Sequence, residues 1–297
     1  MRKLVSILGL GLLVSACVGA GAGGGASATP GVSGGTPAPT YRVETGATKL
    51  ILRIGDYGGF VAPGYQLTRL PQFALYGDGK VIVGGPQIEI YPSPLLPNLL
   101  ELHVTPSEIQ KILAAADKAG LLGPDASYDA TGIADAGTTI FTTNVGGATH
   151  TISAYALSES GTTANAADAA ERARLVRFRN DILNLSAFLG RVVGDTLAYE
   201  PSAMRVFVGL ASATEPSGLT RQQVAWPLAT DPATGGTSTG IEGLRCIALT
   251  STELAAFTTV AKTANGLTVW TYGGGRYSVS VRPLYPDESG CATTASN

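Results

Sequence analysis

The sequence predicts an α+β fold: two similar modules of antiparallel sheet, each with a packed helix, plus one long connecting helix. Three observations predict it. Short apolar or alternating runs punctuated by Gly fall into two groups, one on each side of residues 164–189. Each group carries one helix-start signal of the form Thr-x-x-Glu, at Thr105-Pro106-Ser107-Glu108 and at Thr250-Ser251-Thr252-Glu253. Between the groups, Leu175, Phe178, Ile182, Leu185 and Leu189 form one apolar seam at helical spacing.

In chain order, residues 1–16 read as an export signal. Arg2 and Lys3 precede an apolar run over 4–14, and small residues follow it. That run is shorter than the roughly 20 apolar residues a bilayer span requires. Val14-Ser15-Ala16-Cys17 resembles the lipobox of bacterial lipoproteins, in which the Cys thiol receives diacylglycerol and the signal is cut just before it. The resemblance makes Cys17 the lipid-bearing first residue of the mature chain. Membrane lipid is then its partner, and its location is the extracytoplasmic face of the cell membrane, or the outer membrane in a Gram-negative host. Two or more acyl chains hold stably where one would bind marginally. The plainer reading is an ordinary Cys beside a secretory cleavage site. Residues 17–47 read as a tether. Over 18–40, eight of 23 residues are Gly and none is charged or aromatic, so as a flexible coil the stretch spans roughly 25 Å.

Residues 48–195 form the first module. Leu50-Ile51-Leu52-Arg53-Ile54 is a short apolar strand run. Phe73-Ala74-Leu75-Tyr76 and Lys80-Val81-Ile82-Val83 flank Gly77-Asp78-Gly79, a hairpin cue. Ile88 and Ile90 alternate with Gln87, Glu89 and Tyr91, which predicts a half-buried strand; Leu100, Leu102 and Val104 alternate with Glu101 and His103. Pro106 suits the first helical position, Ile109, Ile112, Leu113 and Ala116 follow on one face, and Gly120 suits a left-handed stop. Runs over 139–144 and 149–157 pair through Gly146-Gly147, and residues 164–189 close the module as a long helix.

Residues 196–291 form the second module and 292–297 a tail. Met204-Arg205-Val206-Phe207-Val208 opens it, and Gln223-Val224-Ala225-Trp226 takes the place of Gln72-Phe73-Ala74-Leu75. Leu254, Phe257, Val260, Ala261 and Ala264 match Ile109, Ile112, Ala115, Ala116 and Ala119 at a constant offset of 145. The match suggests an internal duplication, although such caps also recur by chance. A hairpin around Gly273-Gly274-Gly275 closes the module. With Cys17 acylated, Cys246 and Cys291 remain as an even pair, 45 residues apart. In an exported chain they read as a disulfide stabilising by roughly 3–4 kcal/mol, or as two buried thiols.

Composition narrows the chemistry. Only 14% of residues are charged and the net charge is −2, so the basic footprint of a nucleic-acid partner is missing. Hydrophobic residues make up 44%, enough for a packed core. His103 shares a strand face with Glu101, opposite the apolar residues, and His150 reads as a half-buried ring. Neither lies in a catalytic motif, no cofactor fingerprint is present, and no catalytic residue is assigned. Asp125, Asp129 and Asp135 are weak metal candidates, since Ca²⁺ takes oxygen ligands, but their spacing is not an EF-hand loop and turn chemistry explains them equally. Arg172, Arg174, Arg177 and Arg179 read as a headgroup grip or as the wet face of a helix. Tyr57 and Phe60 in a Gly-rich loop, and Tyr272 and Tyr277 at the last hairpin, are candidates for a ligand surface, with core packing as the alternative.

Several blocks carry a wider likeness: Gly58-Gly59-Phe60, Leu75-Tyr76-Gly77-Asp78-Gly79, Ala119-Gly120-Leu121-Leu122-Gly123-Pro124, Val224-Ala225-Trp226-Pro227-Leu228 and Arg282-Pro283-Leu284. Through most of the mature chain it resembles a group of uncharacterised exported lipoproteins, mainly of actinobacteria. The resemblance implies export and brings no activity with it. The expectation is a membrane-anchored extracytoplasmic lipoprotein, a binding or envelope-structural module more than an enzyme, partnered by an envelope protein or polymer. A hydrolase of envelope polymers using loop carboxylates, or an inhibitor or solute-recognition module, is the alternative.

Overall fold

A computed structural model describes residues 40–291, apart from 158, 160–161, 164–165, 195 and 215–217. The expected export signal, Cys17, most of the expected tether and the tail after Cys291 lie outside the described residues. The first module contains β1 (Leu50–Gly58), α1 (Pro63–Thr68), β2 (Phe73–Tyr76), β3 (Lys80–Gly84), β4 (Leu99–His103), α2 (Pro106–Lys118), β5 (Ala126–Tyr128), β6 (Ala130–Thr131), β7 (Gly137–Val145), β8 (Ala148–Tyr155) and β9 (Thr162–Thr163). Helices α3 (Ala166–Leu183) and α4 (Leu185–Leu189) follow, then β10 (Leu197–Ala198). The second module contains β11 (Ala203–Leu210), β12 (Gln223–Ala225), β13 (Thr237–Ser238), β14 (Arg245–Thr250), α5 (Ser251–Ala261), β15 (Val269–Tyr272) and β16 (Gly275–Pro283). The architecture is α+β with two sheets in which antiparallel pairing dominates.

The first sheet runs β10-β4-β3-β2-β1-β7-β8-β5. Its hairpins form where local turn chemistry asks for them. Gly146 and Gly147 both have positive φ, 65° and 84°, as a two-residue hairpin turn requires. The β2–β3 turn places Gly79 (φ 88°), and Val104 donates its N–H to the Gly79 carbonyl. One face packs against α2, α3 and α4 through Phe73, Leu75, Val81, Ile112, Leu113, Phe178 and Ile182. The other face buries Ala74, Tyr76 and Ile82 with Tyr199 and Tyr285. Strand alternation sends successive residues to opposite faces, so all four residues of β2 are buried because both faces are covered. The chain already packs on this core at Tyr41 and Val43, upstream of the expected boundary at 48. Tyr41 donates its N–H to Gln110, which donates back to the Tyr41 carbonyl.

The second sheet runs β12-β15-β16-β11-β14-β13 and packs against α5. Trp226, Phe257 and Trp270 meet there with ring centroids 5.3–5.9 Å apart, Phe257 stacked on Trp270. The two sheets share a layout but not a wiring. Each has a parallel edge strand beside a hairpin, but β1 pairs with the first hairpin strand, β7, whereas β11 pairs with the second, β16. Strand β12 is the parallel edge strand of its sheet, so 223–226 does not take the place of the central strand β2.

Three further expectations are corrected. Residues 87–91 form no strand; the segment is irregular, with Ile88 and Ile90 exposed. The long helix breaks at Asn184 (φ −112°, ψ 58°), where α4 restarts, although Leu175, Phe178, Ile182 and Leu185 stay buried along one seam. Only the first capping box closes. Thr105 accepts from the Glu108 N–H and Glu108 accepts from the Thr105 N–H, whereas Thr250 makes no side-chain cap bond and Glu253 instead accepts from the Thr230 hydroxyl at 3.3 Å.

Each module lends a segment to the other. The β3–β4 connection inserts Leu95 into the second core, with the Leu95 N–H bonded to the Ala264 carbonyl at 3.0 Å. In return, residues 284–291 run as a strap between the sheets. Tyr285 donates its hydroxyl to the Pro71 carbonyl, Arg205 donates to the Gly290 carbonyl, and Cys291 forms a disulfide with Cys246, Cα atoms 5.8 Å apart.

Candidate functional site

Charge in this chain is sparse, so where it gathers is informative. The strap carries Asp287 and Glu288 to the first sheet. The Arg53 guanidinium donates to both Asp287 oxygens at 2.7 and 3.0 Å, and the Tyr76 hydroxyl donates to the same carboxylate at 2.7 Å. Arg282 grips Glu288 through two nitrogens at 2.7 and 2.8 Å, and its Nε donates to the Arg69 carbonyl. Burial pushes the Tyr76 phenol well above its ordinary range and the Asp287 charge adds to it. Burial would raise the Glu288 carboxyl, but the Arg282 guanidinium outweighs it and holds the carboxyl below its usual value. Strongly shifted groups often mark active sites. Here each carboxylate is spent on an arginine of a sheet, and the cluster bolts the modules together.

A second such clamp holds α2. Arg191 donates to both oxygens of the buried Glu108 at 2.5 and 2.6 Å, and this pairing, with the cap bonds, lowers that carboxyl to about 2. Within the arginine run, Arg172 is 7% exposed and donates to the carbonyls of Tyr128, Tyr155 and Ala156. Arg172 therefore belongs neither to a headgroup grip nor to a wet face. Arg174 pairs with Glu171.

The exposed surface points elsewhere. Sheet register sets two ends of the first module. Leu50 pairs with Tyr76, and Gly58 with Gly137, so β1 crosses from the end where the chain arrives from the tether to the opposite end. At about 3.3 Å per residue those ends lie roughly 27 Å apart. Strand β3 ends beside the start of β2, because Phe73 pairs with Val83. The loops 59–72 and 85–98 therefore emerge together at the far end, beside the 129–136 loop that leads into β7. Of the ten large apolar side chains exposed among the described residues, six lie on two of these loops: Phe60 (89%), Val61, Tyr65, Ile88, Ile90 and Tyr91. The Phe60 N–H donates to the Asp135 carbonyl at 3.0 Å, joining the 59–72 loop to the 129–136 loop. Arg69 lies 5.4 Å over the Tyr65 ring and donates to the Asp56 carbonyl. On the second-module flank, the Leu244 side chain reaches α1 at Gly64 and lines a pocket of about 520 Å³ with Leu210, Ile241 and Tyr277. A larger cleft of about 750 Å³ lies at the tether end, among Arg42, Lys49 and the 146–147 turn.

The sequence candidates fall unevenly on this surface. Phe60 stands exposed on the 59–72 loop. Tyr57 is not in a loop but in β1, half-buried, with burial raising its phenol. Tyr277 is buried in the second core and borders the flanking pocket. Tyr272 lies on the edge of that core, its hydroxyl 3.3 Å from the Ala229 carbonyl, and does not join Phe60. The three aspartates do not assemble a metal site. The Asp125 carboxylate accepts from the Thr151 N–H at 2.8 Å, Asp129 is exposed, and Asp135 sits at φ 60°, a turn conformation that Asp tolerates. Among the described residues, no group of three or more His, Cys, Asp or Glu could hold a metal ion. His103 is exposed beside Glu101, and His150 is half-buried on β8. Ile88, Ile90 and Tyr91 were missed as surface residues; their alternation is visible in the sequence, but the lack of a pairing strand is not.

Fold and surface together define a class: a two-sheet α+β body, bolted by a disulfide-held strap, with large apolar side chains exposed on the loops 59–72 and 85–98. The chain matches no known family model, and no curated protein or solved structure is similar to it. Among the described residues, no helix is long and apolar enough to cross a membrane.

Proposed function

We propose that the chain is a lipid-anchored extracytoplasmic protein whose folded body is a binding module. The observation that carries this reading is the Cys246–Cys291 disulfide. Such bonds persist in oxidising compartments outside the cytoplasm, and the pairing leaves Cys17, in its lipobox-like tetrad, as the one remaining thiol of three. The charged start, apolar run and small residues before Cys17 suit the same compartment. The binding role draws support from six large apolar side chains left exposed on the loops 59–72 and 85–98, since exposed apolar surface is what interaction sites use.

Metabolic labelling with a clickable palmitate analogue, followed by membrane fractionation, tests the anchor. The expected result is label in the membrane pellet that disappears with Cys17→Ala. A native chain recovered in the cytosol without label would overturn the reading.

A further inference from the structure

Where the modules meet, a cleft of about 670 Å³ runs along one side of α5. The helix lines it with positions 251, 254, 255, 258, 259 and 262, whose spacing makes a single stripe. Phe257, Ala261 and Ala264 go into the second core. The facing wall comes from the β3–β4 connection and from the linker before β11. Leu96 and Pro97 stand toward the C-terminal end of α5, because the Leu95 N–H is bonded to the Ala264 carbonyl. Glu200, Pro201 and Ser202 stand toward its N-terminal end, because Ala203 pairs with Thr250. Buried Leu99, Met204 and Leu254 give the cleft an apolar floor.

The polar groups of this cleft are uncommitted. Glu200 and Lys262 are its two charged residues, both exposed, and neither makes an ion pair among the described residues. The hydroxyls of Ser202, Ser251 and Thr258 likewise make no hydrogen bond there, whereas the Thr259 hydroxyl bonds back to the Ala255 carbonyl. The carboxylates that bear on neighbouring Tyr199, namely Glu101, Asp287 and Glu288, are already paired with Lys80, Arg53 and Arg282. Opposite charges therefore stand toward opposite ends of a groove with an apolar floor and free hydroxyls between them.

We propose that this cleft binds a short peptide with both ends free, about five residues long, lying extended along α5 with its ammonium group at Glu200 and its carboxylate at Lys262. The inference rests on the binding reading above and deepens it by naming a ligand class. Length follows from the helix. Its 11 residues advance roughly 16 Å before Lys262, and an extended chain covers about 3.3 Å per residue. Chemistry selects against other occupants. An acyl chain would hold Glu200 and three hydroxyls against hydrocarbon, and polar groups without partners are costly to bury. A lone anion would use Lys262 and leave the apolar floor uncovered. A peptide uses every feature: its ends take the charges, its amides the hydroxyls and its side chains the floor.

The test titrates the full mature chain, held in lipid nanodiscs, with a five-residue peptide of alternating Ala and Leu by calorimetry. The same peptide acetylated at its amine, amidated at its carboxylate, or blocked at both ends serves as control. The free peptide is expected to bind about ten-fold more tightly than the doubly blocked one at low salt, with the difference shrinking as salt rises. Lys262→Met removes the preference for a free carboxylate and keeps that for a free amine; Glu200→Gln does the converse. Ala255→Trp changes an exposed position of the stripe, fills the cleft and abolishes binding with the thermal midpoint in place. No binding of the free peptide, equal binding of free and blocked peptides, undiminished binding to Ala255→Trp, or tighter binding of octanoate than of the peptide would each overturn the inference. None of those results touches palmitate labelling at Cys17, so the anchored reading stands or falls separately.

Discussion

Cutting the strap loose is the perturbation with the largest calculable effect. The Cys246–Cys291 bond closes a loop spanning 45 residues of separation, with α5, β15 and β16 inside it. In the chain-entropy treatment, opening such a loop costs about 4 kcal/mol by freeing the unfolded chain. The folded strap keeps other holds when the bond is opened: Arg205 on the Gly290 carbonyl, Arg53 and Tyr76 on Asp287, and Arg282 on Glu288. Reduction should therefore leave the fold native-like and act mainly through the unfolded state, lowering unfolding free energy by about 2–4 kcal/mol. Urea titrations with and without dithiothreitol measure it, with Cys246→Ala/Cys291→Ala as the non-redox equivalent. Both should shift the midpoint alike. A shift below about 1 kcal/mol, or a reduced protein that has lost its near-ultraviolet signal, would refute the reasoning: the first because the loop would not be closing entropy, the second because the bond would be holding the native packing itself.

Three smaller perturbations follow from the same contacts. Asp287→Ala strips Arg53 and Tyr76 of their shared acceptor and should cost about 2–4 kcal/mol in urea melts, somewhat under the penalty for breaking a fully buried pair because both partners keep some exposure. Glu108 and Glu288 are held below their ordinary value of 4.5 in the folded state. The stability they contribute is therefore present above that value and is lost as pH falls through their folded values, to about 2 for Glu108; Glu108→Gln should flatten the fall in melting temperature between pH 4.5 and 2. Thr105→Ala should cost about 1 kcal/mol of unfolding free energy and Thr250→Ala only a few tenths, since only the first makes its cap bond.

What was legible in the sequence was local. Gly146-Gly147, the Thr105–Glu108 box and the Leu175–Phe178–Ile182 seam specify turn, cap and buried face within a few residues, and each forms as its chemistry dictates. The Cys pair was readable from its even count and the expected export. What was not legible depends on distant partners. Ile88 and Ile90 alternate like a strand, but strand pairing needs a neighbour that periodicity cannot name. Thr250–Glu253 copies the first cap in spelling, yet Ser251 sits at φ 49° and Glu253 turns to Thr230, a residue well upstream of the helix. The offset of 145 made the modules look interchangeable; long-range pairing of β16 with β11 gave them different wiring. The bolt was the deepest omission from the candidate site. Its parts lie more than two hundred residues apart, and a cluster of charges near the end of a charge-poor chain was its only trace.

The most direct test of the central claim is the intact mass of the native protein extracted from its own membranes. The predicted mass is that of the chain beginning at Cys17, increased by at least a diacylglyceryl group and reduced by two hydrogens for the Cys246–Cys291 bond. An unmodified chain that still begins at Met1, with three titratable thiols, would contradict it.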